Sequence, residues 1–193
     1  MEVLMKNKKC LIGVLLVLQA GSFCLPAQAM ELSNSNSEKK KVVLQSAICD
    51  FRQRDTVAVR SMFNATQYLK NLFTPGCSDI EKVIKVKVGE RKWKTAGYVA
   101  YDIDEEEQQG WINNIVVSSK FTCRGLGTKL LEFALKDLFK LKMLKVGLYV
   151  CDKNKAAHRL YSLFGFKEAS GLFEWFVTPE RFKASKFKKK ISK

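Results

Sequence analysis

Two glycines one residue apart, flanked by an arginine and a threonine, are the residues of this chain best suited to hold an anion. They stand in Arg124-Gly125-Leu126-Gly127-Thr128. Upstream is a β-branched apolar run of strand length, Ile112 with Ile115, Val116 and Val117. Downstream, Leu126, Leu130, Ala134 and Leu138 recur at helical spacing, widened by Leu131 and Leu135. Lys129, Glu132, Lys136 and Lys140 take the outward face, with Glu132 and Lys136 as an i,i+4 ion pair. A strand that turns through glycine into a helix leaves the first helical N–H groups without acceptors, and the helix dipole adds partial positive charge there. Glycine lets a phosphate approach the backbone without meeting a Cβ, and Arg124 supplies a cation able to bind it through two N–H groups. The same glycines also serve an ordinary tight turn, and both readings stand at this point.

The elements around this turn follow in order. Residues 30–41 are polar and then lysine-rich, a flexible lead-in. Val42 to Phe51 reads as a strand. Asp55 is placed to cap a helix running through Val59 and Phe63, and Gln67 to Phe73 reads as a second short helix closed by Thr74-Pro75-Gly76. Lys82 to Val88 alternates apolar and basic residues, as a half-exposed antiparallel strand does, and Gly89-Glu90-Arg91 turns it into a strand through Ala96–Tyr101. Asp104 to Gly110 is an acidic turn before the central strand. Met143 to Val150 is another strand, Asn154 to Phe164 a helix, and Phe166–Ala169 with Leu172–Val177 a final strand pair around Gly171. The order predicts a mixed α/β (α+β) sheet with one parallel crossover after the glycine turn.

The chain has 193 residues, the size of one domain, and a net charge of +15. Arg181, Lys183, Lys186, Lys188, Lys189, Lys190 and Lys193 gather in residues 181–193 against a single nearby acid, Glu180. Such a tail could meet nucleic acid, anionic lipid or an acidic substrate, or simply be solvated. No specific nucleic-acid partner is expected. Residues 1–29 read as a signal peptide: Lys6, Lys8 and Lys9, then apolar Cys10–Leu25, then a cleavage site at Ala27-Gln28-Ala29. It would engage the export machinery and give a periplasmic or secreted protein beginning at Met30. Translation from Met30 itself would give a cytoplasmic form. Export leaves Cys49, Cys77, Cys123 and Cys151, whose spacing fits no metal pattern. No disulfide is assigned, and Cys123 and Cys151 are expected as half-buried thiols at strand ends. No metal site is expected, and nothing in the pattern sets an oligomeric state.

Asn154-Lys155-Ala156-Ala157-His158-Arg159-Leu160-Tyr161, followed by Gly165-Phe166, reads N-x-x-A-x-x-L-Y-x-x-x-G-F. With the glycine turn at the right distance upstream, residues 96–177 resemble the GNAT superfamily of N-acetyltransferases. The resemblance makes residues 42–180 a GNAT domain with a central mixed sheet, flanked by helices, whose two central strands splay apart. It implies that acetyl-CoA is the co-substrate and that an acetyl group passes directly to a small-molecule or peptide amine in a ternary complex. It also implies the site. The pyrophosphate would lie on Arg124, Gly125, Leu126, Gly127 and Thr128, and the pantetheine arm would pair with the backbone at Ile115 and Val117. Asn154 would hold that arm, and Tyr161 would protonate the departing thiolate.

Two positions depart from the family pattern. Thr122 stands where the turn usually has arginine or glutamine. Asn113 and Asn114 stand on the central strand where members often carry a glutamate as general base. Asp102 and Asp104 are candidate replacements acting through water, and Glu105, Glu106 and Glu107 read as solvated. His158, the only histidine, is expected to face CoA phosphate or solvent. The base is left unassigned. A GNAT fold that binds CoA without turnover is the alternative, and an anionic-surface binder using the basic tail is a third reading.

Overall fold

The computed structural model describes residues 45–63, 78–152, 154–169, 174–185 and 187. The segments read as signal peptide and lead-in, the helix read at Gln67–Phe73, Cys77, Gly171 and most of the C-terminal lysines lie outside the described residues.

The described chain runs β1 (Ser46–Asp50), α1 (Thr56–Met62), β2 (Ile80–Val88), β3 (Lys92–Asp104), β4 (Gln109–Val117), α2 (Leu126–Lys140), β5 (Lys145–Tyr149), α3 (Lys155–Leu163), β6 (Lys167–Glu168), β7 (Glu174–Val177) and α4 (Pro179–Lys183). The strands form one seven-stranded sheet in the order β1-β2-β3-β4-β5-β7-β6. Every neighbouring pair is antiparallel except β4 and β5, which run parallel. A parallel pair needs a crossover, and α2 supplies it. The mixed sheet expected from the sequence is the one found.

α2 buries the predicted stripe. Leu130, Leu131, Ala134, Leu135 and Leu138 are fully buried and Leu126 nearly so, each leucine contributing about 1.5–3 kcal/mol of apolar burial. They share a core with Tyr161 of α3, with Phe164 just after it, and with Val146 and Leu148 of β5. On the outward face Lys136 pairs with Glu132 at 2.7 Å. Lys129 reaches back to Ser46 Oγ at 2.8 Å. The other face of the sheet carries α1, whose Val59 packs with Val83, Tyr98 and Ala100.

Several expectations are corrected in detail. Asp55 stands at the start of α1, but its carboxylate makes no cap bond to the helix. It is buried and takes an ion pair from Lys85 at 2.9 Å and the Thr95 hydroxyl at 2.8 Å. A charge withdrawn from water needs a partner more than the helix needs a cap. Leu144 is exposed because β5 begins one residue later. The packed domain also continues past residue 180. Phe182 and Phe187 are buried, and Phe164 stacks on Phe187 with centroids 4.3 Å apart. Two phenylalanines among the basic residues hold that segment on the core.

Candidate active site

β4 is the axis of the site. Its pairing with β5 covers only Gln109↔Lys145 to Ile112↔Leu148, although β4 continues to Val117. From Asn113 onward the edge of β4 that faces β5 has no strand partner among the described residues. The register against β3 slips at the same place. Ala100 faces Asn114 and Tyr101 faces Ile112, so Asn113 is the extra residue of a β-bulge. Beyond the bulge, Ser118 N–H donates to Ala96 O at 2.8 Å. Backbone N–H groups alternate along a strand, so those of Val117 and Ile115 point the other way, into the gap on the β5 side. The strands therefore splay where the sequence resemblance expected it.

The turn after β4 is built to leave its amides open. Thr122 Oγ1 donates to Ser119 O at 3.1 Å, so this hydroxyl is engaged within the turn. Cys123 (φ 58°) and Gly125 (φ 74°) both adopt left-handed backbone. A side chain at Gly125 would meet no atom within 4 Å, so conformation and not space is what selects glycine there. Gly125 is the N-cap of α2, no side chain caps the helix, and its first turn contains no acidic residue. The N–H groups of Leu126, Gly127 and Thr128 thus begin the helix with no side-chain acceptor and with the helix dipole uncompensated. The Arg124 guanidinium lies 5.9 Å from the centroid of the Phe121 ring, which holds the cation at the turn. Cys123 is exposed rather than half-buried and lies in this turn, beyond the strand end.

α3 lines the far side. Asn154 caps it, Oδ1 accepting Ala157 N–H at 3.1 Å. The carbonyl oxygen is therefore committed to the helix, and the Nδ2 donors are what it can offer a ligand. Tyr161 is 6% exposed, with its ring 5.6 Å from Phe166. Burial pushes its phenol up to about 12. His158 differs from expectation. Its Nε2 lies 3.0 Å from Cys151 O and its ring meets Trp175 edge-on at 4.8 Å, so it braces the loop before α3 against β7.

Of the candidate carboxylates, Asp102 is joined to the bulge. Its Oδ2 accepts Asn113 Nδ2 at 2.7 Å and its Oδ1 accepts Asp79 N–H at 2.9 Å. Asn113 also donates to Ser78 Oγ at 3.0 Å. Asp104 instead accepts Glu107 N–H at 3.0 Å and holds the acidic turn. Below the splay lies an aromatic group that sequence reading missed. Trp111 stacks on Tyr149 with centroids 5.3 Å apart and planes 8° from parallel, and meets Phe176 edge-on at 5.4 Å. All three stood in predicted strands at alternating positions, but their meeting depends on a register that spacing alone does not give. Among the described residues no cluster of three or more His, Cys, Asp or Glu could hold a metal ion.

A sheet splayed at its one parallel junction, with an uncapped helix at the end of the splayed strand, is the framework that the resemblance to GNAT acetyltransferases implies. The family model described as "Acetyltransferase (GNAT) family" matches residues 57–166, more than half the chain, and the protein belongs to that family. It is 31% identical over 68 residues to the spermine/spermidine N(1)-acetyltransferase of Bacillus subtilis (strain 168). That match covers 35% of this chain and 45% of the relative, so the chain spans less than half the length of the curated relative it matches. Similar solved structures include an Escherichia coli ribosomal-protein-alanine N-acetyltransferase (TM-score 0.59, 20% identity, covering 69% of this chain and 94% of that one). The NatC complex bound to Gag peptide and CoA is another (0.57, 16%, 69% and 98%). A third is the spermidine/spermine N-acetyltransferase of Vibrio cholerae (0.56, 16%, 72% and 97%). At these identities the structures establish the fold.

Proposed function

We propose that the protein transfers an acetyl group from acetyl-CoA to an amine by direct attack within a ternary complex. The observation that carries this reading is a continuity along one strand. The N–H groups of Ile115 and Val117 open onto the β5-side gap, and the same strand leads into an uncapped helix N-terminus with Arg124 beside it. An extended arm ending in a pyrophosphate matches that sequence of donors. The arm adds to β4 as a strand would, the phosphates take the Arg124–Thr128 amides, and Asn154 Nδ2 is available to the arm from α3. Donors fixed along β4 polarise the thioester carbonyl. The amine attacks in its neutral form, with no dedicated base assigned. Tyr161 supplies an O–H to the sulfur as the thiolate departs.

The test is release of free thiol from acetyl-CoA in the presence of an amine panel, alongside calorimetric CoA binding. Gly127→Val should weaken CoA by ~1–3 kcal/mol, the scale of well-formed hydrogen bonds lost. A Cβ at Gly127 meets Val117 Cγ2 at 3.7 Å and Leu160 Cδ2 at 3.8 Å, ordinary contacts, so Gly127→Ala fits without displacing a neighbour and serves as the control should the valine variant not fold. Unchanged affinity in the valine variant would place the pyrophosphate elsewhere. A second reading, CoA binding without turnover, is favoured by Asn113 and Asn114 on β4. Binding with no thiol release from any amine would select it.

A further inference from the structure

The hairpin between β2 and β3 reaches past the rest of the sheet. β1 leaves β2 at Ser46↔Val86, and β4 joins β3 only from Gly97↔Val117. The last β2–β3 pairs, Lys87↔Trp93 and Val88↔Lys92, therefore stand beyond the strand pairing of both neighbours. They form a two-stranded ribbon closed by the turn Gly89-Glu90-Arg91. Two apolar side chains are left in water at its tip, Trp93 at 49% exposed and Val88 at 39%. Side chains alternate along a strand, so the Lys87–Trp93 pair lies on one face of the ribbon and the Val88–Lys92 pair on the other.

Cations surround these two residues. Lys87, Arg91, Lys92 and Lys94 stand in the ribbon against one acid, Glu90. None of the four forms an ion pair among the described residues. Lys120 is exposed near the foot of the ribbon, where Ser118 N–H donates to Ala96 O. The chain enters β1 at the same end, and Lys39, Lys40 and Lys41 precede it in sequence. The opposite end of the sheet is balanced. There the β3–β4 turn carries Asp104, Glu105, Glu106 and Glu107. The Leu144 N–H bond to Gln108 O brings Lys142 and Lys145 beside them. From Lys92 to Asp104 β3 spans 13 residues, about 40 Å, so the positive charge is gathered at one pole.

A lysine or arginine close to an anionic bilayer is attracted over a Debye length. A half-exposed indole settles at headgroup level, where its ring leaves water and its N–H stays wet. A second copy of the chain would bring like charges together at this tip. A rigid partner on one side would cover Trp93 or Val88 but not both. Only a medium that surrounds the tip covers the two faces at once.

We propose that the β2–β3 hairpin is a membrane-docking element that enters the headgroup layer of an anionic bilayer. Trp93 and Val88 lie in the interface, and Lys87, Arg91, Lys92 and Lys94 lie among the lipid phosphates. The sheet then stands on its hairpin end with the β3–β4 turn directed away from the membrane. Neither the splay nor the glycine turn takes part, so the proposal is independent of the transfer chemistry.

The test reads Trp93 itself. The chain has three tryptophans, of which Trp175 is buried and Trp111 part-buried. The difference in fluorescence between the full-length wild type and Trp93→Phe therefore reports on the hairpin, whatever else in the chain touches lipid. On vesicles of one part phosphatidylglycerol to two of phosphatidylcholine, this difference signal should move to the blue and be quenched by brominated acyl chains. Lys92→Gln together with Lys94→Gln should raise the lipid concentration for half-maximal quenching about 25-fold, or about fivefold per lysine. All three side chains are exposed, so both variants should keep the wild-type circular dichroism. Should the lysine variant not fold, the contrast between anionic and neutral vesicles in the wild type decides. No quenching on anionic vesicles would overturn the proposal, as would equal quenching on phosphatidylcholine alone or an unchanged midpoint in a folded lysine variant. A single-stranded RNA that perturbs Trp93 at a lower phosphate concentration than the vesicles do would also overturn it, and would assign the hairpin to nucleic acid.

Discussion

Tyr161→Phe removes one hydroxyl and keeps the ring against Phe166, so it tests the leaving-group role with little disturbance of packing. Its magnitude follows from burial. A free thiol titrates at about 8.5, whereas burial pushes Tyr161 up to about 12. Complete proton transfer from this phenol to a thiolate would thus be uphill by about 5 kcal/mol, at 1.36 kcal/mol per pH unit. Tyr161 is therefore better suited to donate a hydrogen bond to the developing thiolate than to surrender its proton before the sulfur has left. A hydrogen bond to a charged group contributes about 1.5–3 kcal/mol, which predicts a fall in kcat of ~10- to 10²-fold. Acetyl-CoA affinity should change little, because the bond strengthens only as charge builds on sulfur. The assay is steady-state thiol release at saturating amine, repeated from neutral to mildly alkaline pH. Since the phenol stays protonated across that range, Tyr161 should contribute no descending limb to the kcat profile. Normal kcat in the Phe variant would remove the hydroxyl from the reaction. An alkaline limb in the wild type that vanishes in the variant would refute the argument from burial.

Other expectations concern the frame. Asp55→Ala should cost about 1–3 kcal/mol in urea denaturation at neutral pH, because it leaves the part-buried Lys85 and the Thr95 hydroxyl without their partner; a loss under 1 kcal/mol would show the pair to be well hydrated. Burial pushes the Asp55 carboxyl up, but hydrogen bonds from Lys85 and Thr95 and the Lys85 charge outweigh it and hold it below its ordinary value. A depressed native value means the stabilisation is present above the unfolded pKa of about 3.9 and fades as pH falls through the native one. Wild-type stability should drop over that acid range, and the drop should be smaller in Asp55→Asn. Gly125→Ala should lower stability by about 1–2 kcal/mol from backbone strain alone, since the added methyl touches nothing; an unchanged melting temperature would mean the turn relaxes freely.

Sequence reading succeeded where one element carried its own signal. The stripe from Leu126 to Leu138 needed only helical spacing, and the glycine turn needed only its place between strand and helix. It faltered where a residue's fate depends on a distant strand. Asp55 looks like a cap because the preference is local, yet Lys85 and Thr95 claim it from β2 and β3. His158 looked exposed beside Lys155 and Arg159, but Trp175 of β7 receives its ring. The bulge at Asn113 has no sequence signature, although it brings Asp102 to the splay. Trp111, Tyr149 and Phe176 each read as strand residues, and only the parallel register of β4 with β5 turns them into one surface.

The parting of β4 from β5 also bears on how the protein keeps company. A strand edge with open hydrogen-bonding groups ordinarily invites other chains to pair with it. Here the open edge is short, running only from Asn113 to Val117 beyond the last pairing with β5, a length that suits one extended arm. Whatever fills it completes the ladder and so stabilises the native chain by mass action. Occupancy is then a form of quality control: heat or a protease would remove empty molecules first, and a cell that maintains its ligand would preserve the protein with it.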